Sequence, residues 1–234
     1  MTTTPKPAAS ISPGSTSPGS IRLGIDTSTD VRVGLAGGAG VLAARAVTDS
    51  RAHAEQLMPL VNAVLAEAGR TLADVGLIVV GVGPGPFTGL RVGVVTAQTL
   101  ACALGVPVRG VCSLDAVAAG HVAAGRPDGE FLAVSDARRR EVYWARYAAD
   151  GRRIDGPAVS PASELPELPV VGPGAALAGG TASPLDGGVL ALAGPDLPDA
   201  GLSPLYLRRP DATVPTNRKS TLLQPRLARG LARS

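Results

Sequence analysis

The sequence predicts an α/β protein in which mixed sheets are flanked by helices, and three observations support this class. First, residues 21–125 alternate short β-branched runs with longer amphipathic runs, in the order βββαβαβα. Second, residues 77–82 form a β-branched, apolar run bounded by glycine, which is typical of a strand buried on both faces. Third, a glycine-rich stretch at 81–93 connects this run to the least polar helix candidate of the chain. Together they indicate a strand, loop and helix around which the other elements are arranged.

The first elements follow from simple periodicity. Three strands of an antiparallel meander are predicted at residues 21–25, 31–35 and 41–47. In residues 54–68 the apolar positions recur at helical spacing, and Gly69 closes the pattern. Pro59 lies inside this run, so either the regular helix begins near it or its first turn is kinked.

The central helix is predicted at residues 89–104, with Thr88 as its N-cap and Gly105 just past its end. A glycine loop before a helix can bind phosphate. Here two prolines in the loop remove backbone donors, which favours a stiff structural turn. A strand at 106–111 and a helix at 114–124 follow.

Two helical faces are candidates for binding a protein partner. The central helix has a small residue at every fourth position and is apolar or small on nearly every side. One face can therefore pack on its own sheet while another remains for a partner. The alternative is that the small residues pack internally. The candidate interface residues are Leu57, Leu60, Val61, Val64, Gly89, Gly93, Ala97 and Ala101.

The second half of the chain begins with a predicted hairpin, formed by residues 131–136 and 141–147. Arg138, Arg139 and Arg140 lie at its turn, and they either contact RNA phosphates or form a solvated tip. Residues 151–203 are rich in proline and glycine, with short elements at 170–172 and 189–192.

Composition limits the class of protein. The chain has 234 residues, of which 45% are hydrophobic and 18% charged, which predicts a soluble protein of one or two small domains without a transmembrane segment. Cys102 and Cys112 have no CxxC spacing and are expected to be reduced, buried thiols in the cytoplasm. Residues 212–234 hold five basic and no acidic residues, whereas 21–211 hold 16 basic and 19 acidic residues. The body is therefore no basic platform for nucleic acid.

Five motifs in a fixed order carry a resemblance to a known family: GIDTS at 24–28, HAEQLMP at 53–59, GVGPGPFTGLRVG at 81–93, DARRREVYWARY at 136–147 and PLYLRRPDA at 204–212. Over about residues 21–212 the chain resembles the bacterial TsaB (YeaZ) family. The resemblance implies an actin-like, ribonuclease-H-like fold with two lobes. We expect a disordered extension at 1–20, lobes at 21–125 and 126–212, and a basic disordered tail at 213–234.

The resemblance also implies a role beside the catalytic paralogue TsaD, which makes threonylcarbamoyladenosine next to the anticodon of tRNA. In that system TsaE is an ATPase and TsaC makes the activated donor. TsaD-like proteins carry a His-x-x-x-His metal pair at a helix start, where this chain has Ser113 and Val117. Because His53 and His121 are the only histidines, we expect neither a metal centre nor catalytic residues in this chain. No cofactor is predicted.

Two functions therefore remain open at this stage. The first is a non-catalytic dimerisation subunit that forms a heterodimer with a TsaD-like enzyme, with a TsaE-like ATPase and tRNA joining the complex. The second is a self-sufficient nucleotide-dependent enzyme, a weak ATPase or sugar-kinase-like phosphotransferase, in which Asp26 and Thr27 approach a phosphate. In actin-like and sugar-kinase folds such a turn contacts phosphate, but a plain capped β-turn is an equal alternative here. Whether the isolated chain forms a homodimer is also open.

Overall fold

The first sheet contains the meander that the sequence predicts. The computed structural model describes residues 21–38, 40–48, 53–125 and 127–208. The strands of this sheet are β1 (Ile21–Asp26), β2 (Val31–Gly37), β3 (Gly40–Val47), β4 (Val75–Gly81) and β5 (Val108–Val111). Their order is β3-β2-β1-β4-β5, with β1 antiparallel to β2 and parallel to β4. The apolar run at β4 thus occupies an inner position of the sheet, as its composition predicts.

The second sheet is also mixed and has five strands among the described residues. They are β6 (Phe131–Asp136), β7 (Glu141–Tyr147), β8 (Arg153–Pro161), β9 (Val170–Gly172) and β10 (Thr181–Ala182). Their order is β10-β9-β6-β7-β8. The β6–β7 hairpin is antiparallel and has the boundaries that the sequence predicts, whereas β8 was not predicted. Glycine and proline inside β8 conceal its pattern.

Helices cover both faces of the first sheet. They are α1 (His53–Glu67), α2 (Phe87–Leu104), α3 (Ser113–Gly125) and α4 (Gly187–Ala193). Ile78 and Val80 of β4 belong to the core shared with α1 and α2, while Val79 packs with Leu190 of α4. Because successive side chains of a strand point to opposite faces, α1 and α2 lie on one face and α4 on the other. The predicted class, two mixed sheets flanked by helices, is confirmed.

The predicted start of the central helix needs correction. Thr88 is not the N-cap of the central helix, since α2 begins at Phe87 after an extended Pro86, whose carbonyl accepts the Leu90 N–H at 3.0 Å. At the other end the prediction is correct, because Gly105 is left-handed with φ 66°. The first helix continues through Pro59 from His53 to Glu67.

α4 comes late in the chain and packs on the first sheet. Its residues fall in the range 126–212, which was predicted to form the second lobe, yet α4 packs against β1, β2 and β3. The contact is close because glycines lie on both sides of it. A Cβ atom on Gly24 would be 2.3 Å from the Gly187 carbonyl oxygen, and one on Gly34 would be 2.1 Å from the Gly188 nitrogen. The chain therefore returns to the first lobe after completing most of the second.

Two further expectations concern the burial of the two cysteines and the presence of a membrane-spanning helix. Both cysteines are free, but Cys102 is exposed on α2 and only Cys112 is buried, so the prediction that both are buried is wrong for Cys102. Within the described part of the chain, α2 alone is long and apolar enough to cross a membrane by length and composition. Since α2 packs on β4 and β1, it has the contacts of a core helix, and core helices commonly pass this test.

Candidate functional site

The turn after β1 holds a wholly buried carboxylate, that of Asp26. Its Oδ1 accepts hydrogen bonds from the Ser28 N–H at 2.7 Å and the Ser28 hydroxyl at 2.6 Å. Its Oδ2 accepts one from the Ser113 hydroxyl at 2.5 Å. Burial raises the pKa of Asp26 above its ordinary value, while the hydrogen bonds from Ser113 and Ser28 oppose that shift. The carboxylate is thus fully engaged by the protein.

The glycine loop at 81–86 closes over this turn. A Cβ atom on Gly81 would lie 1.7 Å from Asp26 Oδ2, and one on Gly85 would lie 2.5 Å from the Ser28 carbonyl oxygen. The Gly83 N–H donates to Ser113 Oγ at 3.1 Å. Because the loop backbone itself touches the turn, the glycines provide close packing between the loop and the turn. The structural turn, the alternative that the prolines favoured, is the one observed.

Thr27 joins the same turn to the start of α2. Its hydroxyl is buried and donates to the Gly89 carbonyl at 2.7 Å. A Cβ atom on Gly93 would lie 2.2 Å from Thr27 Oγ1. Both side chains are enclosed by the protein and position α2 on the sheet, while the approach of Asp26 and Thr27 to a nucleotide stays a prediction.

The residues predicted to bind a partner are also internal. α1 packs against β2 and β3, and α2 packs against β4 and β1. An amphipathic period and a row of small residues both identify the face that a helix turns toward its own sheet. The prediction of the helices is correct, but its residues form the core and cannot be an exposed interface. All eight are buried: Leu57, Leu60, Val61, Val64, Gly89, Gly93, Ala97 and Ala101.

The opposite face of these two helices is exposed and has few charges. α1 and α2 are in contact with each other, so their outward surfaces are adjacent. Val95 is 58% exposed at the middle of α2, and no charged residue occurs on α2 after Arg91. We call this surface the outer helix face. It comprises the exposed or half-buried residues Pro59, Asn62, Ala63 and Ala66 of α1 and Val92, Val95, Thr96, Thr99 and Leu100 of α2.

The start of α3 is where TsaD-like proteins carry their metal pair. Ser113 bonds to Asp26 there, and Val117 is 3% exposed in the core around the second sheet. Between them, Asp115 Oδ1 accepts a hydrogen bond from the Tyr147 hydroxyl at 2.7 Å and lies 3.5 Å from Arg153 Nη1. Burial raises the pKa of Asp115. The described residues contain no group of three or more side chains that could hold a metal ion.

The remaining thiol and histidine at α3 are packing groups. Burial raises the pKa of Cys112 to about 12, so its reactive thiolate form is suppressed. His121 packs edge-on against Phe131, with ring centroids 4.8 Å apart. These contacts stabilise the junction of α3 with the second sheet and do not form a catalytic arrangement.

Residues 204–208 cross between the two lobes. Their motif was noted in the sequence, but contacts between the lobes were not predicted for it. The Leu205 N–H donates to the Val82 carbonyl at 2.8 Å. Tyr206 stacks on Phe87 with a centroid distance of 4.8 Å, and its hydroxyl accepts from Arg91 Nε at 3.1 Å. We call these residues the closing segment. It therefore lies against the end of β4 and the start of α2.

Comparison with known proteins gives a consistent result. A family model described as TsaD, tRNA N6-adenosine threonylcarbamoyltransferase, matches residues 40–178. An uncharacterized protein of Mycobacterium tuberculosis is 48% identical over 185 residues, which cover 74% of this chain and 82% of that protein. The Escherichia coli tRNA threonylcarbamoyladenosine biosynthesis protein TsaB is 38% identical over 134 residues, covering 56% of this chain and 57% of TsaB. YeaZ from Pseudomonas aeruginosa superposes with a TM-score of 0.66 and 28% identity, covering 80% of this chain and 100% of YeaZ.

The two mixed sheets, the meander of the first sheet and the helices around it define an actin-like α/β protein. Its first hairpin turn, which the resemblance associates with phosphate, is packed internally. Within that class, this chain belongs to the TsaB (YeaZ) family, which is part of the wider family of tRNA N6-adenosine threonylcarbamoyltransferases.

Proposed function

We propose that the chain is a non-catalytic subunit that binds a TsaD-like enzyme and supports its threonylcarbamoylation of the adenosine next to the anticodon of tRNA. The pathway is supported by relatives whose names place them in threonylcarbamoyladenosine biosynthesis. The accessory role is supported by the chemistry of α3, because Ser113 is committed to Asp26 and Val117 has no lone pair to donate to a metal.

The observation that carries this proposal is the outer helix face. An exposed helical surface with few charges, with Val95 at its centre, has the composition of a protein interface. A TsaD-like protein of the same fold presents the corresponding pair of helices. Two such pairs can meet around a pseudo-twofold axis and form a four-helix contact. The catalytic paralogue is therefore the occupant that we assign to this face.

The further parts of the proposal concern the assembly. A TsaE-like ATPase joins the heterodimer, tRNA is bound through the complex, and the site of action is the cytoplasm. When no paralogue is present, a second copy of the chain can use the same face to form a homodimer. The competing function, a nucleotide-dependent enzyme, has little support because Asp26 and Thr27 are enclosed by the protein's own loop and helix.

The first test replaces Val95→Arg. The exposed position tolerates arginine in the free chain, but a buried, unpaired charge at the interface opposes association. We expect affinity for the TsaD-like protein to fall about ten- to a hundredfold, measured by calorimetric titration of the two purified proteins. The melting temperature of the free chain should stay within about a degree or two of the unmodified chain.

Leu177→Arg is the matched control, since Leu177 is an apolar residue that is 48% exposed on the second lobe. This variant should bind the TsaD-like protein with unchanged affinity. If Val95→Arg also binds normally, the outer helix face is not the interface. If Leu177→Arg weakens binding as much as Val95→Arg, the partner lies elsewhere and the assignment of the face is wrong.

A further inference from the structure

The first turn of α2 carries an exposed arginine whose side chain is held by two aromatic rings. The guanidinium carbon of Arg91 lies over the Phe87 ring, 3.8 Å from the ring centroid. The Arg91 Nε–H donates to the Tyr206 hydroxyl at 3.1 Å, and the Tyr206 ring packs on Phe87 with the centroids 4.8 Å apart. We call Phe87, Arg91 and Tyr206 the arginine–aromatic cluster. Its stacking and hydrogen bond restrict a guanidinium that would otherwise move freely in solvent.

The closing segment fixes the position of Tyr206 in this cluster. On one side of Tyr206, the Leu205 N–H donates to the Val82 carbonyl at 2.8 Å, just after the end of β4. On the other side, Arg208 forms an ion pair with Glu141 of β7. The backbone that carries Tyr206 is therefore tied to both lobes, and the orientation of the guanidinium depends on contacts with both.

The positive charge of Arg91 has no carboxylate beside it within the part of the chain that the structure describes. Arg91 is exposed and belongs to none of the ion pairs among these residues, and α2 itself contains no acidic residue. In this structure its Nε–H is used by Tyr206, which leaves the N–H groups of its two terminal nitrogens as donors for another molecule. Two such donors on a planar guanidinium match the two oxygens of a carboxylate.

The cluster is continuous with the outer helix face. Arg91 precedes Val95 by four residues on α2, so the two exposed side chains are neighbours on the same side of the helix. The surface therefore changes from apolar side chains to a restrained positive charge within one helical turn. Arginine and tyrosine are the residue types that most often dominate the binding energy of protein interfaces, together with tryptophan.

We propose that the arginine–aromatic cluster is the charged end of the interface with the TsaD-like enzyme, where Arg91 binds a carboxylate of that enzyme while Phe87 and Tyr206 hold the guanidinium in position. This inference rests on the proposed function, which assigns the TsaD-like enzyme to the outer helix face. A guanidinium that is restrained in the free chain loses less freedom on binding. A charge at one end of an apolar surface also specifies the orientation in which the partner binds.

The test is calorimetric titration of the full chain with the purified TsaD-like protein, at about 50 and about 500 mM KCl. Arg91→Gln removes the charge, and Arg91→Glu reverses it. At the lower salt concentration we expect Arg91→Gln to weaken the affinity about tenfold or more, and Arg91→Glu to weaken it further because two carboxylates then face each other. The difference between these two variants should shrink at the higher salt concentration. Normal affinity of Arg91→Gln, or equal affinities of the two variants at both salt concentrations, would overturn the proposal.

Arg152→Gln and Arg152→Glu are the matched controls. They make the same changes of charge at an exposed arginine of the second lobe, between β7 and β8 and at the opposite end of β7 from Glu141. Both controls should bind the TsaD-like protein with the affinity of the unmodified chain. Losses equal to those of the Arg91 variants would contradict the proposal, because they would show an effect of net charge alone.

Tyr206→Phe separates a contact with the partner from a purely structural role of Arg91. This variant removes the hydroxyl that accepts from Arg91 and keeps an aromatic ring next to Phe87. We expect an affinity loss of about two- to fivefold, the size of one net hydrogen bond, with the salt dependence of the unmodified chain. A loss as large as that of Arg91→Gln would show that Arg91 acts by holding the closing segment, and the carboxylate contact would be wrong.

The same titrations distinguish this inference from the proposed function. If the unmodified chain does not bind the TsaD-like protein, both are wrong. If Val95→Arg weakens binding while Arg91→Gln binds normally, the outer helix face is supported and the cluster is not part of the interface. Self-association of the chain and tRNA binding by the complex are measured alongside. If Arg91→Gln changes either of these and leaves the affinity for the TsaD-like protein unchanged, the cluster serves a second copy or RNA, and the proposal is wrong.

Discussion

Asp26 and its neighbours show how one residue can combine a functional motif with an internal role. Its carboxylate receives hydrogen bonds from Ser28 in its own turn and from Ser113 at the start of a distant helix. The sequence shows the Asp-Thr-Ser turn but not which groups surround it. Asp26 is the last residue of β1, where either a solvent-facing or a buried carboxylate fits the strand pattern. The deciding information is the contact with Gly81, which depends on how β1 and β4 pair.

The charge of Asp26 should make stability depend on pH. Because burial raises its pKa in the folded chain, its contribution to stability is full below the ordinary value of 3.8 and is lost as pH rises through the folded pKa. Asp26→Asn removes that dependence. We expect the stability of the unmodified chain relative to Asp26→Asn to fall as pH rises from about 4 toward 7, measured by urea unfolding at each pH. A relative stability that is constant or increases over this range would contradict the buried, weakly acidic carboxyl described here.

At the scale of elements, α4 shows a contact that periodicity cannot reveal. Its docking depends on Gly24 and Gly34 in the sheet and on Gly187 and Gly188 in the helix, which let the two backbones touch. Glycine has no side chain to mark a buried face, so the sequence shows a short element at 189–192 but not the face by which it docks. By contrast, β6 and β7 were predicted with correct boundaries because alternating apolar residues are separated by a clear polar turn.

The substitution Gly34→Ala tests the docking of α4. The added Cβ atom would meet the Gly188 backbone at 2.1 Å, so the helix must move away from the sheet. We expect a loss of about 1 to 3 kcal/mol in the free energy of unfolding, or somewhat more, measured by urea unfolding. Gly40→Ala is the control, because nothing lies within 4 Å of its added Cβ atom. Its effect should be within about 0.5 kcal/mol, and an equal effect of the two changes would show that α4 does not pack closely.

At the scale of the whole molecule, residues 199–208 tie the lobes together. The Ala200 N–H donates to the Gly110 carbonyl at 2.9 Å and covers the edge of β5, and the closing segment then passes over the glycine loop to reach Glu141. The motif at 204–212 was visible in the sequence, but its contacts connect residues more than a hundred positions apart. Such pairings depend on the assembled fold and cannot be obtained from local patterns.

At this scale the proposed function is divided between this chain and its TsaD-like partner. In the proposed assembly the outer helix face is the surface for a paralogue, while the first hairpin turn and the start of α3 are used for internal packing. The sequence predicted the two helices of this face correctly and assigned the wrong side of them. Hydrophobic periodicity identifies the side of a helix that is buried within its own chain, and a partner must bind the exposed side.

The most direct test of this account is a tRNA modification assay with purified components, each omitted in turn. The mixture contains the chain, its TsaD-like partner, a TsaE-like ATPase, the activated threonylcarbamoyl donor, ATP and unmodified tRNA, and modified adenosine is measured by mass spectrometry of digested tRNA. We predict that the complete mixture forms the product, and that omitting either the chain or the TsaD-like protein abolishes it. Product formed by the chain without the TsaD-like protein, or full activity without the chain, would contradict the assignment of a non-catalytic supporting subunit.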